Sequence, residues 1–507
     1  MKKLFSVFVV ILITSGCFGK SDEGENNDCS PINPNNLENI WEISGETRTF
    51  SSPHAADLNG DGVLDIVFGT GMEMPAEGSI IAVNGNDGTI LWNIETTQEM
   101  FASAQFEDLD GDGSLDVILG GRGHNLQAID GQTGELLWSF NHNSTEREEW
   151  YQFYTGQFIQ DIDNDGISDW ITTNGGDPTK NPEQEREKGY LMIMSGSTGE
   201  ILAIADTPDG METYVSPVIY DELVNGQSKT KILFGTGGET WPGSLWMTTL
   251  NDLLNNDISE SLQLVSPIEN VNKGVISPPT IVDLTKDGIQ DIIVSMFDGR
   301  TIAINGNGYD SIWEVDAREY ALNGTANNAE TWVSPAVGFF SDDLIPDVFI
   351  HYLIGEWPEY SSYWTAQIDG ETGVVSWMEE TNHIAASSPL AVDLNMDGID
   401  EVIMIRANML MEDNNPNNIQ LHHEILVWNS CDYTNSTLFN REGLSIASPL
   451  IIDIDNDGIL DMISSSTSSF DSPTSTWNMY RTNLNVPVPS KISWGAYMGT
   501  FYDGVMQ

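Results

Sequence analysis

The chain has 507 residues, enough for two or three average domains or for one large repeat architecture, and its 19 Lys and Arg stand against 77 Asp and Glu for a formal charge of −58. A surface of that sign repels phosphate backbones, which argues against nucleic acid as a partner and makes cations the natural one.

At the N-terminus Lys2 and Lys3 form a basic start and Leu4 to Ile13 an apolar run, the pattern of an export signal too short to span a bilayer. The run ends in Thr14-Ser15-Gly16-Cys17, which resembles the lipobox of prokaryotic lipoproteins. That resemblance implies a signal peptide over residues 1–16, a lipid on Cys17 and a protein held in the cell envelope, exposed at its surface, that meets the membrane through the anchor only. Residues 17–36 are polar, acidic and aperiodic, as a flexible tether would be. With Cys17 lipidated, Cys29 and Cys431 remain. Export permits a disulfide, and the two have one intramolecular pairing, set against two free thiols. Cys29 precedes the first strand and Cys431 is placed in a late one, so a ring that closes its chain ends together would make the bridge geometrically sensible.

From residue 37 to 507 one pattern recurs. A short strand, often opened by Ser-Pro, ends in Asp; an acidic Gly-containing loop follows, then an apolar strand, a third strand, a Gly-rich turn and a strand containing Trp. The first copy runs Ser52-Pro53 to Asp57, loop Asp57 to Asp65, Ile66 to Gly69, Ile80 to Val83, Asn84 to Gly88, and Ile90-Leu91-Trp92. Further loops start at Asp108, Asp161, Asp283, Asp393 and Asp453, and two wide gaps hide degenerate copies around Ser216-Pro217 and Ser334-Pro335. Four short strands per repeat form a propeller blade, which buries both faces only by stacking on neighbours in a ring. The fold class expected is therefore an all-β propeller of eight four-stranded blades, with seven as the alternative. Asn39 to Ser44, a Trp strand ahead of the first full repeat, would complete the final blade.

The loop Asp108-Leu109-Asp110-Gly111-Asp112-Gly113-Ser114-Leu115-Asp116 has acids at its first, third, fifth and ninth positions. They can wrap one hard cation, with the seventh residue's carbonyl as a further ligand and Gly at the sixth permitting the bend. Asp57, Asn59, Asp61, Val63 and Asp65 form the first set, and Asp161, Asp163, Asp165, Ile167 and Asp169 the third. Asp283, Thr285, Asp287, Ile289 and Asp291 form the fifth, with Thr285 weakening it. Asp393, Asn395, Asp397, Ile399 and Glu401 form the seventh, and Asp453, Asp455, Asp457, Ile459 and Asp461 the eighth. The fourth and sixth copies lack the acids, so about six Ca2+ sites are expected, together contributing about 8 kcal/mol at tenfold saturation. An EF-hand would need an acid at position twelve, where this chain has Phe68, Leu119 or Thr172. These loops resemble the FG-GAP/VCBS repeats of integrin-α-like propellers, where they join the first two strands of a blade.

The stretch Ala128 to Trp138, matched by Val83 to Trp92 and Ile368 to Trp377, is similar to the repeat of quinoprotein (PQQ-type) propellers. That likeness implies that the Trp docks blade against blade. A quinone-binding enzyme is its sharper implication, but the adjacent Cys pair common in quinoprotein alcohol dehydrogenases is absent.

Strand alternation puts the acidic loops and Gly-rich turns on one face of the disc and the remaining loops on the other. The second face collects Trp150, Tyr151, Tyr154, Tyr214, Trp241, Trp332, Trp357 and Tyr360 beside Glu239 and Glu356. Exposed aromatics among polar groups suit a glycan or protein ligand, or else pack together over the channel. No nucleophile motif or phosphate loop appears, and His422-His423 point to opposite faces of one strand. A binding or adhesion module is therefore expected. A polysaccharide-active, lyase-like propeller and an envelope assembly scaffold are the alternatives.

Overall fold

The computed structural model describes residues 36–507 apart from 73–76, 141–149, 179, 182, 225–226, 321–326, 358, 382, 412–418, 470–471 and 473. The signal, the tether, Cys17 and Cys29 lie outside the described residues.

The second strand of each repeat is apolar without alternation because both its faces are covered: all of Asp65–Met72, Asp116–Gly120 and Asp169–Gly175 is buried. The fourth strand alternates, as in Ile90–Thr96, because one of its faces meets solvent. Strands of these two kinds, paired antiparallel in chain order, form eight sheets around a ring. In two of them the innermost strand is broken, so that Gln152–Phe153 precedes Gln157–Ile159 and Ala329–Glu330 precedes Ala336–Gly338. The described residues contain one short α-helix, Leu250–Leu254, capped by the Thr249 hydroxyl. None of their helices is long and apolar enough to cross a membrane.

The ring closes as the sequence implies. Glu38–Glu46 pairs with Thr476–Pro487 and becomes the outermost strand of the last sheet, with Trp41 opposite Arg481. Trp41 then docks on the first blade, its Nε1 donating to the Gly85 carbonyl at 2.8 Å. The same step repeats between later blades: Trp92 to Gly131, Trp138 to Gly196, and Trp313 to Gly370. At Gly199 the indole comes so close that an added Cβ would lie 2.4 Å from Trp138, and φ is +71°. Glycine is required there on both counts.

Three features differ from the sequence expectation. Trp150 is 5% exposed and packs against Phe140 and Tyr190, inside the core and off the solvent face. Cys431 is disulfide-bonded but sits in the turn between Ile419–Asn429 and Thr434–Glu442, where its N–H donates to Asn429. In the fourth blade the acidic loop gives way to a tight hairpin, with Val218–Val224 and Gln227–Gly235 paired to the last register, Val224 to Gln227.

The largest surprise is the C-terminal segment, residues 488–507, which fills the central channel. Trp494 bridges Ala391 of the seventh blade, the Gly495 carbonyl accepts from Ile451 of the eighth, and Val505 bridges Ile281 of the fifth. Tyr502 stacks on His54 of the first blade at 3.7 Å, while its carbonyl and that of Asp503 accept from Gln105 and Gln157 of the second and third. Tyr497 meets Ser216 of the fourth, and the Lys491 ammonium lies over Phe339 of the sixth. One tail thus touches all eight innermost strands or their ends.

Candidate functional site

The Ser-Pro steps that open the innermost strands stand around one mouth of the channel. Their hydroxyls link neighbouring blades: Ser334 N–H donates to Ser388 Oγ, Ser388 to Ser448, Ser448 to Ser52 across the ring closure, and Ser103 to Thr155, at 2.9–3.1 Å. Just ahead of them, half-buried side chains converge as a funnel of about 220 Å³, with Phe50, Phe101, Tyr154, Tyr214 and Trp332 on the wall and Tyr497 of the tail reaching in.

Paired charges surround the wall. Glu99, 1% exposed, lies between Arg48 at 3.1 Å and Arg122 at 2.5 Å. Glu330, fully buried, takes Lys273 at 2.7 Å and the Tyr360 hydroxyl. Glu212 pairs with Arg186 at 3.3 Å, yet burial, aided by the nearby charges of Glu239 and Asp177, pushes its pKa up to about 7. Arg48, Arg122 and Arg186 also lie over the rings of Phe50, Phe101 and Tyr214, holding those aromatics in place.

Of the aromatics singled out in the sequence, Tyr154, Tyr214 and Trp332 line the funnel. Trp332, Tyr360 and Trp357 form a chain of edge-on and tilted rings along the sixth blade, with Trp357 67% exposed. Trp241 is half-buried in the loop after the fourth blade's second strand, with Glu239 exposed beside it. Phe50, Phe101 and Tyr497 were missed. A signal for two of them was present, since Phe50, Phe101, Tyr214 and Trp332 each stand two residues before the Ser of the strand-opening step. His423 is buried, its pKa lowered by burial to about 4, while the adjacent His422 is half-buried on the opposite face, so the pair does not form a joint ligand set.

The acidic loops occupy the other face. In all six the sixth residue is a glycine with φ of 83–96°, and its N–H donates to the first Asp, as from Gly62 to Asp57 and Gly398 to Asp393 at 3.0 Å. The ninth acid accepts the second residue's N–H, as Asp116 does from Leu109 and Glu401 from Leu394, both at 2.8 Å. This folding gathers oxygens. Asp108, Asp110 and Asp116, then Asp161, Asp163 and Asp169, and again Asp453, Asp455 and Asp461, offer carboxylate oxygens within 4.8 Å of one another. Burial pushes Asp65 and Asp116 up to about 6 and Glu401 to about 8, with neighbouring loop acids adding to each shift. Oxygen-rich, partly buried and mutually repelling sets of this kind fit a hard divalent cation.

The eighth loop differs in one respect. Arg481, 1% exposed, donates from Nη2 to Asp455 at 2.6 Å and Asp461 at 2.8 Å, and from Nη1 to the Gly85 carbonyl at 3.0 Å. This loop already contains a positive charge, fixed across the ring closure. Arg481→Gln is expected to cost about 1.5–3 kcal/mol in chelator and to make the loss recoverable by calcium, read as unfolding midpoints of parent and variant with and without the ion. An equal loss in both conditions would show that the loop cannot use calcium in place of the guanidinium.

A family model described as the FAM234A/B beta-propeller matches residues 67–222. The chain is a β-propeller. Among curated proteins, Protein FAM234B of Gallus gallus is 20% identical over 382 residues, covering 69% of this chain and 56% of that protein. Protein FAM234B of Homo sapiens is 22% identical over 375 residues, covering 68% and 55%. This chain therefore spans about half the length of the curated relatives it matches. Among solved structures, a europium-containing methanol dehydrogenase superposes with a TM-score of 0.57 at 11% identity, covering 89% of this chain and 94% of that one. A quinohemoprotein alcohol dehydrogenase from Comamonas testosteroni gives 0.55 at 11% identity, covering 91% and 79%. At such identities the propeller shares the fold of these dehydrogenases and nothing more specific.

Proposed function

We propose that this protein is a calcium-stabilised, lipid-anchored binding propeller of the cell surface, related in its loops to FG-GAP/VCBS repeats, and that it takes a glycan or protein ligand on the funnel face. The observation that carries the reading is the convergence of blade entrances on one aromatic funnel, on the face away from the acidic loops. Ligand sites in ring folds are built where several elements present side chains to one concavity. Calcium, held by the loops of the first, second, third, fifth and seventh blades, would fix the blades and take no part in recognition, while Arg481 holds the eighth loop. The lipid on Cys17 would place the propeller at the envelope.

A second reading, a polysaccharide-active enzyme, draws on Glu212, whose pKa near 7 suits a proton-transfer group beside the funnel. Screening the labelled protein on a glycan array, with and without chelator, tests the first reading. Binding should be lost in Trp332→Ala and Trp357→Ala while the fold is kept, and signal indifferent to both substitutions would move recognition off this face. Turnover of a bound polysaccharide that Glu212→Gln abolishes would favour the enzyme.

A further inference from the structure

Tyr154 is 9% exposed and Trp332 is half-buried, and both line the funnel. The Tyr154 hydroxyl and the Trp332 Nε1 are both buried with no hydrogen-bond partner. A buried polar atom left alone costs about 1–3 kcal/mol, and native proteins keep few of them without a use. An indole N–H only donates, whereas a phenol donates or accepts. The missing partner must therefore offer oxygen acceptors.

Charge narrows the class further. The electrostatic neighbours of Tyr154 are two cations, Arg122 and Arg186, and two acids, Glu212 and Glu239. Glu99 already bridges Arg48 and Arg122, and Glu330 already holds Lys273. These charges answer one another, so the wall favours neither an anion nor a cation. Shape supplies the third restriction. At about 220 Å³ the cavity falls below the roughly 300–1,000 Å³ of a pocket for a drug-sized molecule, and half-buried aromatic rings make up much of its wall.

Building on the funnel-face reading above, we infer that the funnel accepts the terminal, uncharged ring of a sugar, packed against Phe101, Tyr154, Tyr214 and Trp332, with Tyr154 Oη and Trp332 Nε1 bonded to its oxygens. A sugar ring combines an apolar C–H face for the aromatics with the oxygens those two groups lack. A longer glycan would then run outward over the rim, where Trp357 is exposed.

The test is titration of the whole protein with methyl glycosides of glucose, mannose and galactose, followed by ligand-observed NMR, with glucuronate and choline as charged probes. At least one neutral glycoside should saturate. Tyr154→Phe and Trp332→Phe should each weaken it about five- to tenfold and leave the unfolding midpoint level or raised, because each removes an unpaired group and breaks no internal bond. Failure of every neutral glycoside to bind, preference for either charged probe, or affinity unmoved by both substitutions would overturn the inference. If array glycans or a protein ligand still bind and lose binding in Trp332→Ala, the funnel-face reading stands while the sugar-ring inference falls. If nothing binds this face, both fall.

Discussion

Removing divalent cations with a chelator is expected to lower the stability of this propeller by about 7 kcal/mol relative to calcium held at ten times its dissociation constant. Each occupied loop contributes about 1.4 kcal/mol under that condition, and five loops lack an internal cation. The total compares with about 5–15 kcal/mol for a whole folded domain. The pH dependence should change as well. Asp65 and Asp116 titrate near 6 and Glu401 near 8 in the ion-free fold, against about 4 in an unfolded chain. A group whose folded pKa is raised holds its proton more tightly when folded. Its contribution is therefore complete below pH about 4 and is lost as the pH rises through 6 to 8. The ion-free protein should thus be steadier at pH 5 than at pH 8, and the calcium effect should grow over that interval. Urea unfolding in calcium and in chelator at both pH values measures this, and coincident curves at pH 8 would remove calcium from the account.

Trp494→Ala is expected to cost about 3–5 kcal/mol, the range for truncating a large aromatic in a packed core. The indole is 1% exposed in the channel, beside Ala496 at 0% and Met498 at 1%, and its backbone exchanges two hydrogen bonds with Ala391. Because the tail touches every blade, losing its anchor should loosen the ring as a whole and lower the cooperativity of unfolding. Phe501→Ala is the control, since Phe501 is 57% exposed and surface changes of that kind stay within about 0.5 kcal/mol. If the two variants unfold alike, the tail does not hold the ring.

Much of this architecture was legible because propeller signals are local and repeated. A loop such as Asp108 to Asp116 closes on itself within nine residues, with Gly113 and Asp108 bonded only five apart. Its spacing therefore shows in the chain, and six copies fix the blade register. The outer Trp strands were legible for the same reason, since each docks on the next blade's Gly turn. What stayed hidden came from residues outside the repeat. Trp150 reads as one more aromatic before an innermost strand, and only the packing of Phe140 and Tyr190 shows it to be core. Arg481 lies in a strand of ordinary appearance, and only strand pairing brings it to Asp455, 26 residues back, and to Gly85, 396 away.

By itself, then, the sequence determined an all-β ring of eight blades, its N-terminal closing strand, and six acidic loops with the donor pattern for a hard cation. It also determined which face those loops occupy, because strand alternation follows from chain order. The tertiary structure alone decided that the C-terminal tail plugs the channel, that Tyr497 reaches into the funnel, and that an arginine neutralises the eighth loop. The physical reason is range. Tyr502 meets Ala55 across 447 residues, and a contact of that span leaves no period or motif in the chain. It exists only once the blades have closed and made a space of the right size for the tail to fill.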